Sequence, residues 1–346
     1  MREAKDRVTR LWVLRHAAST YNRQGRFQGS SNSSHLTEEG LNDARRAGEA
    51  LAGIPFDAVY TSPLSRAMET SGAVTAAREF AAPVVSHSAL AEISLFGWEG
   101  RRYAEICDEC PDQYGDWVHA PARFSLEDER GTRRYPVCEA FDRARGLAGE
   151  LVSRHPGKDV LVVTHNGMGR ALLLSALGLG PESFHTIQQN NLGVSVLEYA
   201  RGEKEARLRV LNATGYISAR LPKPKSGPIG VRVVLAPEMD RRRASGWLNG
   251  AECVEACSEE CGRLIAGLPL PGARPLTTVA LAGTANELDG VLARLPRLPA
   301  PLVRTARLDP GRFTVVHYAG PHSPAALLAL NLSIPGPDGT SMEFTA

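Results

Sequence analysis

The sequence predicts an α/β protein: a three-layer α/β/α sandwich on a mostly parallel, doubly wound sheet, followed by a smaller α/β domain. Three observations lead there. The apolar runs Leu11–Leu14 and Val160–Val163 suit buried parallel strands, and each ends within two residues of a histidine, His16 or His165. Strand-like and helical segments alternate between and after them. Pro222-Lys223-Pro224-Lys225-Ser226-Gly227-Pro228 then breaks the rhythm.

In chain order, strand Leu11–Leu14 precedes an amphipathic helix at Glu39–Ala52, strand Ala58-Val59-Tyr60 and helix Arg66–Ala77. A variable segment, about 101–136, would build a cap over the strand ends. Helix Glu139–Arg154, strand Val160–Val163 and helix Met168–Leu177 follow, and the β-branched run Val194–Tyr199 with Ala206–Leu211 adds edge strands. The expected domains are therefore 1–221, a linker at 222–230, and 231–346.

A chain of 346 residues exceeds one ordinary domain. Its 43% hydrophobic and 23% charged residues are those of a globular protein, and a net charge of +2 excludes a nucleic-acid or membrane-surface partner read from charge. The charged opening lacks the apolar core of a signal peptide and no run reaches spanning length, so a cytoplasmic location is expected. Six cysteines make no disulfide framework at this length. Cys107 and Cys110 form a lone C-x-x-C without a second pair, so no metal is expected. Cys253, Cys257 and Cys261 recur every fourth residue, which predicts one helix face.

Parallel strands ending at one edge bring His16 and His165 to one crevice. A neutral imidazole whose other nitrogen is held by an acceptor can attack phosphorus. The forked guanidinium groups of Arg15 and Arg66 suit the equatorial oxygens of a phosphoryl group.

Four segments occur in order: Arg15-His16-Ala17-Ala18-Ser19-Thr20-Tyr21-Asn22; Thr61-Ser62-Pro63-Leu64-Ser65-Arg66-Ala67; Ala91-Glu92-Ile93-Ser94-Leu95-Phe96-Gly97-Trp98-Glu99-Gly100; and Thr164-His165-Asn166-Gly167. With these the chain resembles the histidine phosphatase (phosphoglycerate mutase-like) superfamily, on the phosphatase side. The resemblance implies that His16 becomes phosphorylated, that Arg15, Arg66 and His165 clamp the transferred group, and that Glu92 is the general acid and base. It further implies secondary phosphate contacts from Ser19, Asn22 and the backbone around Asn166. Arg26 and Gln28 either border the pocket or pin a loop, and Glu99, Arg101 and Arg102 are read as surface charges. Three positions depart from the family pattern: Ala17, Ala18 and Asn166, none of which removes a catalytic atom.

The expected activity is metal-independent hydrolysis of a small phosphorylated metabolite: a sugar phosphate, sugar-acid phosphate or nucleoside-type phosphate. No cofactor is expected, and the protein would be a monomer or homodimer. The alternatives are a mutase and a phosphate-ligand sensing or assembly module. Past the break, Gly262–Leu270 echoes Gly48–Phe56 and Arg307–Tyr318 echoes Gln188–Tyr199. The second part is thus read as a shortened, non-catalytic copy, with Ala236-Pro237 where Arg15-His16 stand and Gly283 opposite His165.

Overall fold

In a computed structural model of the chain, the described residues are 8–77, 82–217, 221–224, 227–239, 242, 248, 251–268, 275–320 and 323–333. They fall into two compact units, 8–184 with 189–207, and 185–188 with 208–333. No helix of the described residues is long and apolar enough to cross a membrane.

The first unit contains β1 (Thr9–Arg15), α1 (Thr20–Gln24), α2 (Glu38–Leu51), β2 (Ala58–Thr61), α3 (Ser65–Ala76), β3 (Val84–Ser86), α4 (Tyr103–Glu109), α5 (Pro111–His119), β4 (Leu126–Glu127), β5 (Arg133–Arg134), α6 (Pro136–Arg154), β6 (Asp159–Thr164), α7 (Asn166–Ala176) and β7 (Val194–Tyr199). Its sheet runs β7-β1-β6-β2-β3, parallel except where β7 pairs with β1. Leu11, Val13, Leu14 and Val160 to Val163 have no exposed surface, as expected for strands covered on both faces. Thr37 caps α2 by accepting from Gly40 N, Glu38 and Glu39 suit its positive end, and Ala44, Ala47, Gly48 and Leu51 form the buried stripe. Helices α2 and α3 pack together, as do α6 and α7.

The second unit contains β8 (Arg207–Ala213, from Leu208 onward), β9 (Val231–Pro237), β10 (Glu252–Glu255), α8 (Glu259–Ala266), β11 (Thr277–Gly283), α9 (Ala285–Arg294), β12 (Phe313–Tyr318) and β13 (Ala326–Leu332). Strand β9 has a parallel neighbour, β11, on one side and an antiparallel one, β12, on the other, as β1 has β6 and β7. Strand β10 extends β11 in parallel, as β2 extends β6. Because β8 pairs with β13 at Leu211↔Leu330, residues 208–213 join this unit, and Pro222–Pro224 lies inside it rather than between the units. Residues 225 and 226 of the expected linker lie outside the described residues.

The registers correct the sequence alignment by one residue. Arg15 pairs with Thr164 and Pro237 with Gly283, while His16 N donates to Thr164 O and Glu238 N to Gly283 O. Glu238 therefore takes the register position in its sheet that His16 takes in the first, and Thr284, the N-cap of α9, that of His165, the N-cap of α7. The echo of Gly48 at Gly262 has no counterpart in the fold: α8 follows β10, whereas α2 follows β1 and α1. The cysteine expectation also fails. Ser258 Oγ accepts from Cys261 N and starts α8 at Glu259, which leaves Cys253 in β10, Cys257 exposed before the helix and Cys261 alone within it, buried.

Candidate active site

Strands β1, β2 and β6 run parallel, so their carboxyl ends deliver His16, Ser62 and His165 to one edge of the sheet. The two imidazole rings lie 5.1 Å apart, tilted by 56°. His16 is 2% exposed and His165 fully buried. Burial, and then the nearby Arg15 and Arg66, hold His16 well below the ordinary histidine range. Burial, followed by Arg66, His16, Arg15 and Arg143, does the same to His165. Both rings are neutral at pH 7.

Neutral rings have tautomers, and a backbone carbonyl chooses that of His16. His16 Nδ1 lies 2.7 Å from Ala17 O, a pure acceptor, so Nδ1 carries the hydrogen and Nε2 keeps its lone pair. Ser62 Oγ accepts from Leu64 N and lies 2.7 Å from His165 Nε2. The hydroxyl keeps one lone pair and its hydrogen, so it pairs with Nε2 in either tautomer of His165, whose Nδ1 is a buried atom without a partner.

Arg66, at the start of α3, is fully buried; Nη1 donates to Ser31 O and Nη2 to Gly29 O, both at 2.7 Å. Its Nε has no partner, nor has that of Arg15, whose Nη1 donates to Gln189 O. Glu92 sits at the N-terminus of α7. Oε1 accepts from Ile93 N and Met168 N, and Oε2 from Gly167 N. The approach is so close that a Cβ on Gly167 would lie 2.5 Å from Oε1.

Of the sequence-predicted residues, Arg15, His16, Arg66, Glu92 and His165 come together. Ser19 is the N-cap of α1; its hydroxyl is engaged with Asn22 Oδ1 and Gln28 Oε1. Arg26 Nη1 donates to Gly100 O, and Asn166 opens α7 with a buried, unpartnered Oδ1. Of the cap aromatics, Trp117 is buried against Phe27, Trp98 and Phe124, while Arg123, Arg130 and Arg133 are exposed. Arg134 pairs with Glu139. No group of three or more His, Cys, Asp or Glu able to hold a metal occurs among the described residues.

Asn191 was missed: its Nδ2 reaches His16 O, Ala17 O and Asn22 Oδ1 and so fixes the turn after β1. Nothing in the Gln188–Asn191 run distinguishes that asparagine by pattern. Ser62 stands inside a quoted motif, but only the fold reveals which atom it faces. Glu99, read as a surface charge, is half-buried and accepts from Ser30 N, Ser30 Oγ and Leu95 N.

The chain is 36% identical over 190 residues to the probable 2-carboxy-D-arabinitol-1-phosphatase of Arabidopsis thaliana, covering 55% of this chain and 38% of that protein. It is 26% identical over 190 residues to phosphoserine phosphatase 1 of Hydrogenobacter thermophilus, covering 55% and 86%. The chain thus spans well under half of the plant relative. Among solved structures, mycobacterial glucosyl-3-phosphoglycerate phosphatase with bound vanadate superposes with a TM-score of 0.52 at 26% identity, covering 60% of this chain and 99% of that one. The profile of the histidine phosphatase superfamily (branch 1) matches residues 11–213, more than half the chain, and to that family the chain belongs.

Proposed function

We propose that the protein is a metal-independent phosphomonoesterase acting on a small phosphorylated metabolite. The observation that carries this is the bonding of His16: Nδ1–H is tied to Ala17 O, and burial among arginines keeps the ring neutral, so Nε2 is a nucleophile at pH 7. Nε2 attacks phosphorus, the ester P–O bond breaks, and Glu92 gives its proton to the departing alkoxide. Water then attacks the phosphohistidine, Glu92 takes its proton, the N–P bond breaks, and orthophosphate leaves. Arg15, Arg66 and His165, whose Nδ1 is buried without a partner, meet the charge that grows on the equatorial oxygens. Asn22, its Oδ1 already engaged, offers Nδ2–H to the phosphate, as Asn166 N does from the head of α7. Ser19, Gln28 and Arg26 act one step back by holding the loops.

The relatives named above act, by their names, on phosphate esters that also bear a carboxylate, which favours sugar-acid and hydroxy-acid phosphates as substrates. Phosphate release from sugar phosphates, sugar-acid phosphates, phosphoserine and nucleotides, measured with chelator present, tests the reading against His16→Ala. Release by the wild type that disappears in the variant is the expected result. Absence of release from every ester, or release that survives the substitution, rejects the phosphohistidine route.

The second unit is read as a shortened copy of the first. Residues 159–213 correspond to 278–332 at one constant offset: Thr164 to Gly283, Tyr199 to Tyr318, Leu211 to Leu330 and Asn212 to Asn331. Asn212 and Asn331 share a left-handed backbone, with φ of 55° in both. Asn212 Nδ2 donates to Leu328 O and Asn331 Nδ2 to Arg209 O, a reciprocal pair. In this copy Glu238 and Thr284 replace the two histidines, which excludes the same chemistry there.

A further inference from the structure

We infer that Glu99 is a positioning residue for Arg66, acting across the peptide unit that joins Gly29 to Ser30. In a trans peptide the C=O and the following N–H point in opposite directions. Here the Gly29 carbonyl accepts from Arg66 Nη2 at 2.7 Å, and the Ser30 N–H donates to Glu99 Oε1 at 2.8 Å. One peptide dipole is therefore held between a guanidinium and a carboxylate, each polarising it in the direction that strengthens the other bond. Arg66 Nη1 takes a second carbonyl of the same strap, Ser31 O, and Ser30 Oγ and Leu95 N add two donors to Glu99 Oε1.

The local sequence is suited to this contact. Gly29 has φ of 56°, and a Cβ there would overlap the Glu99 carboxylate, so the strap approaches as closely as it does only because residue 29 is glycine. Phe96, between Leu95 and Glu99, also takes a positive φ of 42°. Of the five N–H groups of Arg66, two bind the strap and the Nε–H, buried and unpartnered, stays available. A carboxylate in direct contact with Arg66 would compete with phosphate for those remaining donors. Placed one peptide away, Glu99 fixes the orientation of the fork without occupying them. Glu92 and Glu99 are also the two acids whose charge favours the protonated state of Arg66, against its burial.

This inference rests on the phosphate-clamping role given to Arg66 above. The test uses the full chain as wild type, Glu99→Ala, Arg66→Ala and the double variant, with Glu99→Gln as the conservative replacement. Two quantities are read: kcat/KM for phosphate release, and the equilibrium binding of orthovanadate. Glu99→Ala is expected to lower both about tenfold when Arg66 is present and less than about twofold when it is absent. Glu99→Gln, whose amide oxygen can still accept from Ser30 N and Leu95 N, is expected to recover most of the loss. Equal losses in both Arg66 backgrounds, no loss at all, or a Glu99→Gln variant as impaired as Glu99→Ala while equally well folded would overturn the inference. If no ester is hydrolysed by the wild type, the functional reading fails, yet the vanadate cycle still decides whether Glu99 and Arg66 are coupled.

Discussion

At the residue scale, the hydroxyl of Ser62 holds Nε2 of the buried His165 at 2.7 Å and so orients its ring. In Ser62→Ala that bond is lost and the ring is free to turn away from the phosphate. Losing one such bond corresponds to about 1 kcal/mol, so kcat/KM is expected to fall roughly fivefold. Ser62→Thr, which keeps the hydroxyl, should restore it; a fully active Ser62→Ala would show that the ring is oriented by other contacts. The convergence of His16, His165, Arg15, Arg66 and Glu92 was legible because each sits in a motif at a strand end or beside one. Ser62, Asn191 and Glu99 were not, because they act through single hydrogen bonds to partners up to 175 positions away.

Among the elements, α7 carries the strongest constraint. Two of its free N–H groups, from Gly167 and Met168, are taken by Glu92, so that carboxylate is held by a helix terminus as well as by Ile93 N of its own loop. Gly167→Ala would place a methyl 2.5 Å from Glu92 Oε1 and 3.0 Å from Ile93 Cδ1. Because both neighbours belong to the segment that carries Glu92, we expect that segment to move. The helix itself should tolerate alanine well. The expected outcome is a loss of at least tenfold in kcat with circular dichroism and thermal midpoint close to wild type; unchanged kcat would mean that Glu92 need not sit on this helix end. Periodicity located α2, α3, α6 and α7 to within about three residues, since each has a clear buried face. It missed β3 and β10, strands of 3 and 4 residues, too short to show alternation. It also put three cysteines on a helix that Ser258 begins only after two of them.

For the whole molecule, the proposed repeat governs what can be expected. Read as two copies of one fold, the chain would invite the expectation of two anion sites, but Pro237 stands at the register position of Arg15, and Glu238 and Thr284 at those of His16 and His165. Calorimetric titration of the full chain with orthovanadate is therefore expected to give one site, abolished or strongly weakened by Arg66→Ala. A second site that survives that substitution would assign anion binding to the shorter unit. The two strands that end at Tyr199 and Tyr318, each antiparallel to its neighbour, were legible because Gly-Val-Ser-Val and Arg-Phe-Thr-Val-Val share a strand pattern. The alignment at the catalytic edge was out by one residue, since only hydrogen-bonded register distinguishes Ala236-Pro237 from Pro237-Glu238.

At that edge Glu238 Oε1 accepts from Ala285 N at 3.2 Å, and Thr284 and Glu287 complete a capping box on α9. The carboxylate is part of the same chain as the helix end it serves. Its local concentration there does not fall on dilution, and for a short tether it is of millimolar order or higher. A free phosphate arriving at that helix end must displace an acid that never diffuses away, and must also endure its negative charge. A tethered carboxylate thus occupies, at this helix end, the place that a diffusing anion would have to win.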